Sequence, residues 1–133
     1  MADKIVMEIV TPERLVLREE VDEIKSVPAS QGCLGVLPNH APLITSLEPG
    51  VLEYTTGGQN SKIAVSGGFM EVFANKVTIL ADTAENSDEI DMDRARRAKD
   101  RAERRLKERP DGLDIRRAEL ALRRAVSRIK AAE

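Results

Sequence analysis

Residues 87–133 run SDEIDMDRARRAKDRAERRLKERPDGLDIRRAELALRRAVSRIKAAE, and within them only Pro110 and Gly112 interrupt a run of strong helix formers. The pattern predicts two helices. Ser87 or Asp88 caps the first, which extends to about Lys107. Pro110-Asp111-Gly112 makes the turn, and Asp111 or Asp114 caps the second helix, which runs to the end. Acid-before-base pairs at four-residue spacing support both: Asp93–Arg97, Asp100–Arg104, Glu103–Lys107 and Glu119–Arg123. Apolar residues recur at alternating three- and four-residue steps. In the first helix they are Ala95, Ala98, Ala102 and Leu106; in the second, Ile115, Ala118, Leu122, Ala125, Ile129 and Ala132. This predicts an antiparallel hairpin in near-heptad register. A buried Leu or Ile contributes roughly 1.5–3 kcal/mol, an alanine methyl about a third of that. The seam therefore holds two stable helices in a weakly held arrangement, which suits a switch.

Working outward, composition changes at residue 87. Residues 1–86 hold 6 Lys+Arg against 12 Asp+Glu, and residues 87–133 hold 15 against 11, so the parts carry −6 and +4. Every glycine but Gly112 and every proline but Pro110 lies in the first part. Such a joint change marks a boundary, with units at 1–86 and 87–133. The first part reads as nine or so short strands: IVMEIV, RLVL, EIKSV, LGVL, PLIT, VLEYT, KIAV, FMEVF and KVTILA. Gly57-Gly58 between two alternating runs signals a hairpin. Short strands at this spacing with no helix between them predict an all-β sandwich or flattened barrel.

Hydrophobic residues make up 41% and charged residues 33%, a globular balance, but aromatics are only 2%. The core must come from Val, Ile, Leu and Ala, and nucleic-acid stacking platforms are nearly absent. One cysteine excludes an internal disulfide and any cysteine-based metal framework, and the single His40 excludes His-rich metal sites. No apolar run is long enough to span a membrane. MADKIVMEIV lacks the basic start and apolar run of a signal peptide, which predicts a cytosolic chain that meets a membrane only through partners.

Catalytic signatures are missing: there is no phosphate-binding or dinucleotide glycine motif and no G-x-S-x-G. His40 in PNHAP reads as a turn histidine bonded to nearby backbone, and Cys33 as a small core hydrophobe. Glu19-Glu20 and Asp22-Glu23 read as a solvated edge. The arginines offer more. Arg94, Arg97, Arg101 and Arg104 step along one face of the first helix, and Arg117, Arg124 and Arg128 along the second. Two readings stand: the stripes converge on an anion, for which guanidinium is the suited donor, or they solvate the outer faces and pair with nearby acids.

Four stretches carry a resemblance. GCLGVLPNHAPLITSLEPG (Gly32–Gly50) and SGGFMEVFANKVTILAD (Ser66–Asp82) resemble the two signatures of the bacterial ATP synthase epsilon subunit. IDMDRARRAK (Ile90–Lys99) is similar to the nucleotide-binding segment of epsilon subunits that sense ATP, and RAELALRRAVSRI (Arg117–Ile129) to their last helix. The matches are collinear and span the chain. The resemblance implies a β-sandwich of about ten short strands followed by a two-helix hairpin. It implies a non-catalytic place in the central stalk of the proton-translocating rotary ATP synthase, at the cytoplasmic face of the bacterial cell membrane. The partners it implies are the gamma subunit, the ring of c subunits and, when the helices extend, the acidic surface of the catalytic beta subunits. The implied role is coupling of rotation to catalysis and inhibition of ATP hydrolysis by the extended helices. ATP, bound and not hydrolysed, favours the folded hairpin; magnesium is permitted but not required.

Residue by residue, Ile90, Asp91, Arg94 and Ala95 match the I-D-x-x-R-A pattern of the ATP-binding forms. Glu85, Arg101, Arg124 and Arg128 fall where relatives place supporting nucleotide contacts. Val36, Leu37, Pro38, Asn39, His40, Ala41 and Pro42 match the loop that faces the c ring. Asp93 departs from some ATP-binding relatives, which carry an apolar residue there; two readings stand, that its carboxylate pairs with Arg97 or that it weakens phosphate binding. The alternative class is a small nucleic-acid-binding module with a basic helical tail. Against it stand 11 acids among the 15 basic residues of that tail and the acidity of the preceding part.

Overall fold

Alternation decides which strand faces meet. In β1 (Ile5–Val10) the side chains of Ile5, Met7 and Ile9 are buried while their neighbours are half-buried. In β9 (Lys76–Ala81) Val77, Ile79 and Ala81 point inward and Leu80 outward. The computed structural model describes residues 3–133. The intervening strands are β2 (Leu15–Val21), β3 (Glu23–Ala29), β4 (Gly32–Val36), β5 (Leu43–Leu47), β6 (Gly50–Thr56), β7 (Gln59–Val65) and β8 (Gly68–Phe73). A short β10 (Ala84–Asn86) follows. All nine runs read from the sequence are present; the added β10 has three residues, too few for periodicity to register.

The ten strands form one continuous sheet in the order β10-β7-β6-β3-β5-β8-β9-β1-β2, with β4 paired to β3. The sheet folds over on itself, so its inward faces form a single core of Ile, Val, Leu and Met with Tyr54. The fold is thus the sandwich or near-barrel expected. Strand β3 makes the corner. Its register shifts between Ile24 and Val27 against β4, and between Ile24 and Ser26 against β6. Pro28, which has no N–H to donate, follows immediately and accepts the Glu48 N–H on its carbonyl. The Gly57-Gly58 hairpin joins β6 and β7 as predicted, both glycines at positive φ (59° and 80°). Gly68 is fixed by close approach: a Cβ there would lie 2.0 Å from the Leu80 carbonyl oxygen.

A 3-10 turn at Ser87–Glu89 leads into α1 (Met92–Glu108) and α2 (Ile115–Ala132). The first cap lies later than the sequence suggested. Asn86 and Glu89 close a capping box around the 3-10 turn, and Asp91 caps α1 by accepting the Arg94 N–H. Asp114 caps α2 by accepting the Arg117 N–H. Helix α1 ends on Arg109 in the left-handed region (φ 46°). The seam is alanine, as expected: Ala95 and Ala102 of α1 and Ala118 and Ala125 of α2 are buried. Ile115 is not part of it; at the first turn of α2 it is 40% exposed. Nor is Ala132, since Ala131 and Ser127 are the buried residues of the last turns. Helix α2 has two neighbours, α1 on one side and β6 and β7 on the other. Two docking stripes blur a single heptad reading.

The hairpin meets the sandwich through three ion pairs: Arg123 with Glu48 (3.4 Å), Arg128 with Glu85 (2.5 Å) and, beside the 3-10 turn, Arg14 with Glu89 (2.9 Å). Of the expected four-residue pairs within the helices none falls within ion-pair distance among the described residues; the one that does is Lys99–Glu103, at 3.7 Å.

Candidate functional site

Local sequence places most of the predicted nucleotide residues around one cavity. Strand β10 presents Glu85, the capping box presents Glu89, and Asp91 and Arg94 occupy the N-cap and first turn of α1. Ala95 lies buried one residue on, Arg101 lies about two turns along, and Arg128 reaches in from α2. These residues and Ala98 line a space of about 310 Å³. Of the eight predicted positions, six line it: Glu85, Asp91, Arg94, Ala95, Arg101 and Arg128. Ile90 does not; it is the extended, half-buried link between the 3-10 turn and α1. Arg124 lines two other clefts, one between the helices and one against the sandwich.

The cavity carries three carboxylates and three guanidiniums, but their engagement differs. Glu85 is tied to Arg128, Glu89 to Arg14 and Asn86, and one oxygen of Asp91 to the Arg94 N–H. The Asn86 backbone N–H, then the Asn86 side-chain amide and Arg14, hold the Glu89 carboxyl below its ordinary value of 4.5. Arg94 and Arg101 belong to no ion pair among the described residues. The arrangement therefore offers free cationic donors for a phosphate chain and carboxylate acceptors for hydroxyl or amino groups. Asp93 is exposed and makes no ion pair with Arg97. Sequence reasoning missed Glu89 and Ala98. The Asn86-x-x-Glu89 spacing was the available signal for the first, and helical adjacency to Ala95 for the second. Among the described residues no group of His, Cys, Asp or Glu side chains is gathered as metal ligands.

The Val36–Pro42 segment joins β4 and β5. Val36 is buried and anchors it, while Leu37, 61% exposed, stands out with Asn39, Ala41 and Pro42 exposed beyond it. Pro38 and His40 are half-buried, and His40 Nδ1 lies 2.6 Å from the Ala41 carbonyl oxygen, the turn histidine anticipated. Asn39, at φ 66°, is clamped: Asn75 Oδ1 accepts its backbone N–H, and its amide donates to Asp3 at 2.8 Å. The β8–β9 turn and the chain start thus fix the loop. Cys33 is not the core residue expected. It is exposed and lines a cleft of about 770 Å³ between the β3–β4 edge and α2.

One outer face of the sheet carries an apolar row. Phe69 lies opposite Leu80, Leu80 opposite Val10 and Val10 opposite Leu15, a row that crosses β8, β9, β1 and β2. Phe69, Leu80 and Leu15 are each more than half exposed, as are Phe73 and Ile44 nearby.

A β-sandwich with a helical hairpin docked through its second helix defines a two-part class of chain. Residues 4–87 match the family described as ATP synthase, Delta/Epsilon chain, beta-sandwich domain, and residues 88–133 match its long alpha-helix domain. The chain therefore belongs to the ATP synthase delta/epsilon chains. It is 58% identical over 132 residues to an ATP synthase epsilon chain of Desulfitobacterium hafniense (strain Y51), covering 99% of this chain and 98% of that one. An ATP synthase epsilon chain of Moorella thermoacetica is 58% identical over 127 residues, 95% and 94% of the two chains. A chain of the Euglena gracilis mitochondrial ATP synthase, in a cryo-EM structure of OSCP/F1/c-ring in rotational state 1, superposes with a TM-score of 0.82 at 29% identity. That match covers 97% of this chain and 81% of the other. Epsilon chains are non-catalytic stalk subunits, and no helix of the described residues is long and apolar enough to cross a membrane.

Proposed function

We propose that this chain is an ATP-sensing, inhibitory epsilon subunit of a bacterial proton-translocating ATP synthase, peripheral at the cytoplasmic face of the cell membrane. The observation that carries the reading is the 310 Å³ cavity, where Asp91, Arg94 and Ala95 of the I-D-x-x-R-A segment meet Arg128 of the second helix. A ligand seated there touches both helices and the sandwich, so it stabilises the docked hairpin by mass action. The alanine seam means that a few kcal/mol of such bias suffices. Without ATP the hairpin extends, and its arginines meet the acidic surface of the catalytic beta subunits. The Val36–Pro42 loop faces the c ring. The apolar row of Phe69, Leu80, Val10 and Leu15 is the surface we assign to the gamma subunit, because a soluble monomer seldom leaves such a row uncovered.

Two measurements test this. Calorimetric titration of the isolated chain with ATP gives heat in wild type and little in Arg94→Ala; equal heats refute the site. Deleting residues 87–133 leaves the complex assembled and raises its ATP hydrolysis at low ATP; unchanged hydrolysis under all conditions refutes the inhibitory role.

A further inference from the structure

The chain crosses from the sandwich to the hairpin once, and the crossing has two unlike halves. The first half is held to the sandwich. Strand β10 pairs with β7 through Ala84–Val65, Glu85–Ala64 and Asn86–Ile63. The 3-10 turn that follows closes on Glu89, whose Oε1 accepts the Asn86 backbone N–H at 3.2 Å and the Asn86 amide at 2.8 Å. Its Oε2 accepts from Arg14 at 2.9 Å. Arg14 is itself fixed in the β1–β2 turn, where Thr11 Oγ1 accepts the Arg14 N–H and the Thr11 N–H donates to the Arg14 carbonyl. Both oxygens of one carboxylate are thus committed, one along the chain and one across to the sandwich. The second half belongs to the hairpin. Ile90 (φ −80°, ψ 125°) and Asp91 (φ −82°, ψ 101°) are extended, and Asp91 gives its carboxylate to the α1 cap. Beyond them α1 packs chiefly on α2.

We propose that Arg14, Glu89 and Asn86 form a hinge stop: they keep residues 84–89 on the sandwich when the hairpin leaves it, so that the swing falls on Ile90 and Asp91. This rests on the proposed swing of the hairpin and names the point about which it turns. Hinges are a few element-terminal residues that absorb the φ/ψ change, which the two extended residues supply. The stop is needed because β10 is weak by itself, three residues at the edge of the sheet beside β7. If β10 peeled away, the pivot would retreat toward Asp82, and each freed residue would add up to about 3.3–3.6 Å of tether. Glu85 would leave with it, and Arg128 would lose the carboxylate on which α2 docks. A fixed pivot therefore sets both the reach of the extended helices and the register of their return. An exposed ion pair alone is weak. Here it shares its carboxylate with the capping box, and the Asn86 N–H, then the Asn86 amide and Arg14, hold the Glu89 carboxyl below its ordinary value. Arg14 and Asn86 line no part of the 310 Å³ cavity, so the stop is separate from nucleotide binding.

The test is hydrogen–deuterium exchange of the full chain without nucleotide, read on residues 84–89, on β6 and on both helices, at low and high salt. Maleimide labelling of Cys33 in the same buffers reports whether α2 has left the sandwich, since Cys33 lines the cleft beneath it. In wild type, high salt is expected to quicken Cys33 labelling and to leave residues 84–89 protected. Arg14→Gln and Glu89→Gln are each expected to exchange residues 84–89 at least tenfold faster, with β6 and the helices unchanged. The double variant is expected to match the faster single variant, because the two side chains act as one pair. Wild-type exchange at residues 84–89 that rises together with Cys33 labelling places the pivot in β10 and overturns the proposal. Single variants that exchange as wild type, or effects that add in the double variant, overturn it as well. A Cys33 rate indifferent to salt removes the swing and the hinge with it, a failure of the proposed function that is told apart from failure of the clamp by the exchange of the variants.

Discussion

Asp91 combines two duties that alanine substitution merges. Its carboxylate caps α1 through the Arg94 N–H and also faces the cavity. Removing an N-cap costs about 1 kcal/mol, whereas asparagine caps as well as aspartate. Asp91→Asn is therefore expected to leave melting unchanged and to weaken ATP binding, and Asp91→Ala to lower both. Calorimetry and melting of the two variants side by side check this; ATP affinity retained in Asp91→Asn would leave the carboxylate a cap alone. At this scale the sequence was informative where a residue type was locally demanded. Asp91 and Arg94 sat in a recognisable segment, and the turn role of His40 followed from its prolines. Cys33 was misread because exposure at a strand edge depends on which strand stops short beside it, and β4 leaves Cys33 open to the cleft below α2. Glu89 went unnoticed although Asn86, three residues before it, gave a local signal; its second partner, Arg14, lies far away in sequence.

The hairpin is the element where packing and the proposed function are most tightly joined. Helix α2 packs on β6 and β7, and α1 packs chiefly on α2. At the buried seam Ala125 is 1% exposed, so a longer side chain there must fit among its packed neighbours and not into solvent. Overpacking a filled seam costs typically 1–3 kcal/mol. Ala125→Leu is expected to separate α1 from α2 while both stay helical, since leucine and the arginine-rich flanks favour helix. Far-ultraviolet dichroism should then be nearly unchanged and ATP affinity at least tenfold lower. A variant that binds ATP as wild type would mean that the cavity does not require the closed seam. The existence, length and turn of both helices were legible in Pro110-Asp111-Gly112 and in their composition. The facing residues were legible only in part. Periodicity reports an apolar stripe but not its partner, and α2 carries two stripes, one for α1 and one for the sandwich.

Across the whole molecule, the charge step at residue 87 becomes an adhesive between its two parts. An acidic sandwich carries a basic hairpin, and Glu48–Arg123 and Glu85–Arg128 are the two ion pairs that tie α2 to the sandwich. Both pairs are partly exposed, so each contributes modestly and is screened by salt over a Debye length of about 8 Å at physiological ionic strength. Docking is thus expected to weaken as salt rises, where a sandwich held by apolar burial does not. The lone thiol reports on it. Cys33 lines the cleft that α2 closes with Leu122, Val126 and Lys130, so a bulky maleimide reaches it more freely once the hairpin lifts. Labelling of Cys33 is expected to quicken severalfold in Glu48→Gln/Arg123→Gln and at high salt, and to slow when ATP is added to wild type. In Arg94→Ala, ATP is expected to leave the rate unchanged. A rate indifferent to salt, to the charge pair and to ATP would mean that α2 stays seated under all three conditions. The hairpin would then have to act without leaving the sandwich, and the inhibitory reading would lose its moving part.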